Sequence, residues 1–330
     1  MATTGTRGAA VAAGRPLVAL AVAGALLAGC ADPQPIDDAA YTDLDLSPDQ
    51  ELVRAEENPE LAAAVPESIA EDGRLTVAYP SQPSPPFFLF ATDNATPIGV
   101  EVEQARLLAD KLGLELDLQP IDWTAWPLKL QSGDVEVVHF NIGVTRERLE
   151  IFDFATCRAA LMAFFSRNDV EGTIESYEDI SGLRIAVDAG MTQERILLEW
   201  NELLEAEGKE PAELAHYTNG QDMVLAVAAG RVDAAADDSP AAAYRASLRD
   251  DLTVVGRVNE GWPDETVIGS TTKRGDGLAP VLTAAYNELI DEGLYLEALD
   301  KWGLAAEAIP TSETHSLEDY SDVDYDERGD

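Results

Sequence analysis

The chain has 330 residues, 46% of them hydrophobic, with 62 acids against 22 bases and a formal net charge of −40 at pH 7. Residues 61–310 alone carry 44 acids against 18 bases, so the acidity belongs to the body and not only to its ends. A field of that sign repels nucleic acid and anionic lipid surfaces and suits a polyanionic substrate poorly; with five lysines against seventeen arginines it is also compatible with a saline habitat.

Arg7 and Arg15 precede an apolar run from Leu17 to Ala28 that ends Leu27-Ala28-Gly29-Cys30, with no acid before residue 30. A run of about a dozen residues is too short to span a bilayer, which takes roughly 20, and it reads as the apolar region of a signal peptide. Its Leu-Ala-Gly-Cys end resembles a bacterial lipoprotein signal. The resemblance implies cleavage before Cys30, lipid on that cysteine, and an extracytoplasmic protein anchored to the outer face of the cytoplasmic membrane. Cys157 then has no disulfide partner, and stability must come from the core. Residues 30–60 hold ten acids against Arg54 and read as an acidic flexible tether.

From Arg74 onward, β-rich runs alternate with helical periods, which predicts an α/β protein. Strands are expected at 75–78, 114–118 and 135–138, with helices at 100–112 and 126–131. A second series places strands at 184–187, 215–217, 232–236 and 253–255, with helices at 193–207, 221–229 and 241–248. A strand at 266–270 and helices at 278–292 and 294–301 complete the pattern. Two similar units emerge, the second inserted in the first: lobe 1 from 61–165 and 264–310, lobe 2 from 166–263. Each lobe is an α/β sandwich, and the chain crosses between them near Leu161–Ser166 and Asp264–Ser270. A ligand cleft belongs between the lobes at the carboxyl ends of the strands, with hinge closure as its motion. Residues 311–330 read as an acidic disordered tail.

The most informative stretch is Asn141-Ile-Gly-Val-Thr-Arg-Glu-Arg-Leu-Glu-Ile-Phe-Asp-Phe154. Thr145 suits an N-cap with Glu147 in the first turn, so Arg148 would project near free backbone N–H groups. A guanidinium fork grips a carboxylate with two parallel hydrogen bonds, as lysine cannot. The competing reading pairs Arg148 with Glu150 or Asp153 on the surface.

The chain resembles the extracytoplasmic solute-binding proteins of ABC importers, in the subfamily that binds polar amino acids, over roughly Asp72 to Glu307. The resemblance is carried by Gly73-Arg-Leu-Thr-Val, Pro85-Pro-Phe87, Ile98-Gly-Val-Glu-Val-Glu103 and Leu130-Gln-Ser-Gly-Asp134. It continues through Thr145-x-x-Arg148 with Phe152-Asp-Phe154, then Ile180-Ser-Gly-Leu-Arg184, Gly230-Arg-Val-Asp233-Ala, and Ala285-Tyr-Asn-Glu-Leu-Ile-x-x-Gly293 leading to Lys301-Trp302-Gly303.

That resemblance implies a two-lobed type II periplasmic-binding-protein fold and a zwitterionic amino acid as ligand. It implies ABC permease and ATPase subunits as partners, and a monomer. Arg148 takes the α-carboxylate, aided by Thr192 in Gly190-Met-Thr-Gln193. Asp238, or Asp237 beside it, takes the α-ammonium, whereas Asp233 is structural. Trp123 stacks on the ligand, with Phe87 and Phe88 as further aromatic candidates. Asn141 and Gly143 stand where the family often has serines, and Gly143 offers backbone only. Gln193 and His139 are candidates for a polar side chain, although a lone histidine at a strand end is equally a structural residue. The loop Ser81-Gln-Pro-Ser84 lacks the acid that basic-amino-acid binders often carry there, which counts against lysine or arginine as the ligand unless Asp122, Glu265 or another acid reaches the pocket. An ectoine-type compatible solute fits the same clamp, and a ligand-binding sensor partner is the other alternative.

Catalysis has little support. Ser270-Thr-Thr-Lys273 has the Ser-x-x-Lys spacing of penicillin-recognising enzymes but lacks their companion elements, and no hydrolase elbow, zinc-protease pair or nucleotide loop occurs. The acidic Asp322-x-Asp324-x-Asp326 lacks the glycine and final ligand of a calcium loop. No enzyme activity, cofactor or metal is expected.

Overall fold

The computed structural model describes residues 44–170 and 172–318, all within one compact unit spanning Pro35–Asp330. The signal segment, Cys30 and Asp322-x-Asp324-x-Asp326 lie outside the described residues. Along the first part run α1 (Pro59–Ala64), α2 (Glu67–Ala70), β1 (Arg74–Pro80), β2 (Leu89–Phe90), β3 (Pro97–Ile98), α3 (Val100–Leu112), β4 (Glu115–Ile121), α4 (Trp126–Ser132), β5 (Val137–Val138), α5 (Arg146–Leu149) and β6 (Phe152–Ala159). A second part holds β7 (Leu161–Arg167), β8 (Arg184–Asp188), α6 (Thr192–Ala206), β9 (Glu213–Tyr217), α7 (Gly220–Ala228), β10 (Ala234–Asp238), α8 (Ser239–Ser247) and β11 (Leu252–Asn259). The chain then returns through β12 (Val267–Lys273), α9 (Leu278–Asp291), α10 (Leu294–Lys301) and β13 (Thr314–His315).

Two main sheets result, one in each lobe, with strand orders β13-β6-β12-β5-β1-β4 and β11-β7-β10-β8-β9; β2 and β3 form a small separate pair. In each main sheet a parallel portion, β4-β1-β5 or β9-β8-β10, adjoins antiparallel strands that bring the chain in from the other lobe. Buried strands alternate their side chains across the sheet, as the two-residue period requires. On β7, Met162 and Phe164 pack with Trp200 of α6, while Ala163 and Phe165 face Met223 of α7 and Ala242 of α8. Full burial of one such aromatic side chain contributes roughly 1.5–3 kcal/mol. In lobe 1 the corresponding core joins Leu75 and Val77 of β1 to α3, α9 and α10.

Helix α3 occupies its predicted span. It ends at Gly113, whose left-handed φ of 64° permits the N–H to reach the Ala109 and Asp110 carbonyls. Other expectations need correction. The change of lobe falls at Ala160, between β6 and β7, so residues 161–165 belong to the second sheet and not to lobe 1. The reason is continuity: β7 is the strand that β10 and β11 both pair with.

Residues 44–60 are not a solvated tether. Val53 is 7% exposed and donates its N–H to Glu103 at 2.9 Å, Arg54 holds Asp110 at 2.6 Å, and Lys301 donates to the Glu51 carbonyl at 2.6 Å. A strap rich in acids is fixed by a few anchors that average composition conceals. Residues 311–318 also depart from the expected tail, because Ser312 is buried, its hydroxyl donates to the Thr156 carbonyl at 2.7 Å, and β13 pairs with β6.

Candidate ligand site

The first side of the site is built on the loop between β5 and α5. Asn141 has a φ of 53°, a conformation asparagine tolerates better than most residues. Thr145 caps α5 by accepting the Arg148 N–H at 3.3 Å, as the sequence predicts. Arg148 then folds back, and its Nη1 donates to the Gly143 carbonyl at 2.7 Å. The surface pairing with Glu150 or Asp153 does not form: Asp153 accepts the Gly275 N–H at 2.8 Å, and among the described residues no carboxylate salt-bridges Arg148. Burial lowers the pKa of this guanidinium, with the charge of Glu147 opposing it.

Trp123 lies beside it, with the Arg148 guanidinium carbon 5.8 Å from its ring centroid. The indole rests on Trp126 and Phe140 yet stays 49% exposed, which is unusual for so large an apolar group and leaves a free aromatic face. Next to it, the Ser81 hydroxyl donates to the Asp122 carboxylate. The loop after β1 thus has an acid at its side, supplied by the end of β4. Glu265 is exposed.

The second side is built on β10 and α6. The two candidate aspartates have different partners. Asp237 is ion-paired with Arg245 of α8, inside lobe 2. Asp238 accepts from Gln193 Nε2 at 2.8 Å, and the same nitrogen donates to Glu260 Oε1 at 2.9 Å. Thr192 opens α6 beside Gln193 and is exposed. No motif marks Glu260, which opens the return segment between β11 and β12 that also carries Asp264 and Glu265. Burial, and then the charge of Asp238, push its carboxyl well above the usual carboxylate range.

Between the two sides lies a buried charged floor. Arg158, at the end of β6, is fully buried and donates to Glu307 and Glu101 at 2.6 Å each and to Asn141 Oδ1 at 2.8 Å. Burial opposes its charge, but the two carboxylates outweigh that and raise its pKa. Burial also pushes Glu307 up to about 7 against the pull of Arg158. Phe87 is 3% exposed, with Arg158 5.2 Å from its ring centroid, so this aromatic supports the floor and has little surface for a ligand. Phe88 is buried against Tyr79. His139 is likewise structural, its ring nitrogens engaged with the Glu101 carbonyl at 3.1 Å and the Ser270 hydroxyl at 2.9 Å. Ser270 in turn contacts the Tyr286 hydroxyl, which gives the Ser-x-x-Lys serine a framework role.

Arg148, Gly143, Asn141, Trp123 and Phe87 are therefore gathered on the first lobe, and Gln193, Thr192 and Asp238 on the second. Of the floor residues, Glu307 is the one that lies in electrostatic range of the second lobe's Asp238 and of Glu260.

The chain belongs to the bacterial extracellular solute-binding proteins, family 3, whose sequence profile matches residues 75–305. It is similar to the arginine-binding protein ArgT of Corynebacterium glutamicum, 32% identical over 253 residues that cover 74% of this chain and 79% of that protein. It is also similar to the L-cystine-binding protein TcyJ of Escherichia coli K12, 25% identical over 236 residues covering 71% and 84%. Among solved structures, an amino acid ABC transporter substrate-binding protein from Streptococcus pneumoniae bound to L-arginine matches with a TM-score of 0.57 and 27% identity, over 73% of this chain and 97% of that one. An ancestral cationic amino acid solute-binding protein matches with a TM-score of 0.60 and 25% identity, over 72% and 98%.

Proposed function

We propose that this family 3 solute-binding protein captures a polar α-amino acid between its lobes and delivers it to an ABC permease and ATPase. The observation that carries the reading is Arg148: a part-buried guanidinium, salt-bridged to no carboxylate among the described residues, beside an open tryptophan face. A buried cation of this kind awaits a counter-ion, and the planar fork suits an α-carboxylate. Asp238 on the other lobe supplies the opposite charge for the ammonium. Asn141 and Gly143 contribute through the loop that positions Arg148, Thr192 and Gln193 through the start of α6, and Trp123 through stacking. Phe87 acts beneath the site, through Arg158. No covalent step is part of this function.

Asp122 favours a ligand with a cationic side chain, because its hydrogen bond with Ser81 sets a carboxylate against the loop after β1. The similarity to arginine-binding relatives supports the same choice. Lipid on Cys30 and a monomer complete the proposal, with the chain held at the outer face of the membrane.

The test is thermal unfolding of the chain from residue 31 with L-arginine, L-lysine, L-cystine, L-glutamine, ectoine, polyamines and sugars, since a ligand bound only by the native state raises the melting temperature. A shift with α-amino acids alone is expected, largest for a cationic one. A shift with ectoine alone reassigns the protein to osmoprotectant uptake, and silence across the panel favours a sensor that needs a partner. For the anchor, Cys30→Ser is expected to move the protein from the membrane fraction to the medium.

A further inference from the structure

The loop that carries Arg148 is laced to the return segment between the lobes. Val144 donates its N–H to the Val267 carbonyl at 2.9 Å, the Gly269 N–H donates to the Ile142 carbonyl at 3.1 Å, and Gly143 faces Ile268 across an antiparallel bridge. Residues 142–144 therefore pair with the start of β12, whose far end pairs with β5 at Val137 and Val138. Between these two pairings the loop takes the longer path, and Asn141 turns it with its positive φ. The Gly143 carbonyl that receives Arg148 Nη1 is thus part of a strand-like pairing.

Two side chains that the clamp does not use close this arrangement. The Thr266 hydroxyl donates to the Val144 carbonyl at 2.8 Å. Thr266 is itself clasped by Asn259, the last residue of β11. Asn259 Oδ1 accepts the N–H groups of Gly261 and Thr266 at 2.8 Å each, and its Nδ2 donates to the Thr266 carbonyl at 3.2 Å. One amide thereby satisfies three main-chain groups at the two ends of the loop 260–266 and fixes its shape. Beside Asn259, the Glu260 N–H donates to the Ala160 carbonyl at 2.9 Å, on the outgoing crossing. Hydrogen bonds and covalent neighbours thus connect both crossings, through Asn259 and Thr266, to Val144, Gly143 and the guanidinium of Arg148.

We propose that Thr266, clasped by Asn259, is a positioning residue for the carboxylate end of the site: it ties the loop of Arg148 to the segments that join the lobes, so that their relative position sets the direction of the guanidinium fork. This rests on the amino-acid reading above. Thr266 does not touch the ligand in this account; it acts through Val144 and Gly143 on Arg148. A fork needs orienting where a point charge does not, so the effect of Thr266 depends on an arginine at residue 148. Coupling of this kind travels through contiguous contacts and shows as non-additivity between the two residues.

Titration calorimetry of the protein with L-arginine tests the role. Thr266→Val keeps the shape of the side chain but loses the donor, and is expected to weaken binding about fivefold. Thr266→Ser keeps the hydroxyl and is expected to stay within about twofold of the wild type. Placed on Arg148→Lys, Thr266→Val is expected to cost less than about twofold, whereas a clasp that only holds the fold together would cost the same in both backgrounds. Unchanged affinity in Thr266→Val, or an equal loss in both backgrounds, overturns the inference and leaves the amino-acid reading standing. A second measurement needs no ligand. Exchange of the Val144 amide with deuterium is expected to be slow in the wild type and in Thr266→Ser and at least about tenfold faster in Thr266→Val. Rapid exchange in the wild type, or an unchanged rate in Thr266→Val, overturns the lacing even if L-arginine does not bind.

Discussion

The Nη1 of Arg148 lies 2.7 Å from the carbonyl oxygen of Gly143, five positions earlier in the chain. That bond fixes one arm of the guanidinium against its own loop and sets the side chain in place before any ligand arrives. A pre-set cation avoids the ordering cost that a free arginine would pay on binding.

Arg148→Ala is expected to weaken amino-acid binding by at least about thirtyfold, because truncating one partner of a desolvated charge pair costs about 2–5 kcal/mol. Its melting temperature should stay near that of the wild type, since no salt bridge of the fold is lost. Arg148→Lys keeps the charge but not the fork and should fall between the two. Titration calorimetry with L-arginine ranks the three, and equal affinities would remove Arg148 from the site.

Glu307 links stability to pH. Its carboxyl is raised from 4.5 to about 7 in the folded protein, so the folded state holds its proton more tightly than the unfolded one. The stabilisation is therefore fully present below about pH 4.5 and is lost as pH rises through about 7. Glu307→Gln is expected to flatten this part of the stability profile. Urea unfolding at several pH values, wild type against variant, measures the difference; an unchanged profile would assign the pH dependence elsewhere.

Gly99 and Gly133 both have positive φ, at 128° and 79°, yet they predict different outcomes. A Cβ on Gly99 would lie 2.3 Å from the Phe87 carbonyl oxygen, whereas one on Gly133 would meet nothing within 4 Å. Gly133→Ala should cost about 1–2 kcal/mol from backbone strain alone. Gly99→Ala should cost more, and because it pushes on the residue that supports Arg158, it should also weaken ligand binding. Chemical denaturation and calorimetry of both variants separate the two effects.

A chain beginning at residue 61 is expected to unfold at a lower temperature than one beginning at residue 31. Removing the strap strips Asp110 of Arg54 and takes one donor from Glu103, which also accepts from Trp302 Nε1 at 2.6 Å and Lys301 Nζ at 2.8 Å. Equal melting temperatures would show that the strap is only laid on the surface.

Much of the architecture was legible because its signals are local. The span 100–112 shows a helical period between two glycines, and it is α3 residue for residue. Strand β6 escaped because Asp153, Thr156 and Arg158 interrupt its apolar run, and the neutralisation of Arg158 comes from Glu101 and Glu307, at great distance along the chain. The same distance explains Glu260, which only folding brings beside Asp238. The cap that positions Arg148 could be read from its spacing, whereas the different partners of Asp237 and Asp238 needed Arg245 and Gln193 in place.

The short strand β13 lies along the outer side of β6, which it covers at Ala155 and Phe154. An uncovered strand there would offer unpaired N–H and C=O groups to another chain, and with Phe154 and Ala155 among its residues it would make an adhesive border. A protein cut before residue 311 would thus be expected to lose solubility before it loses its ligand, with self-association in the crowded space outside the cell as the first symptom.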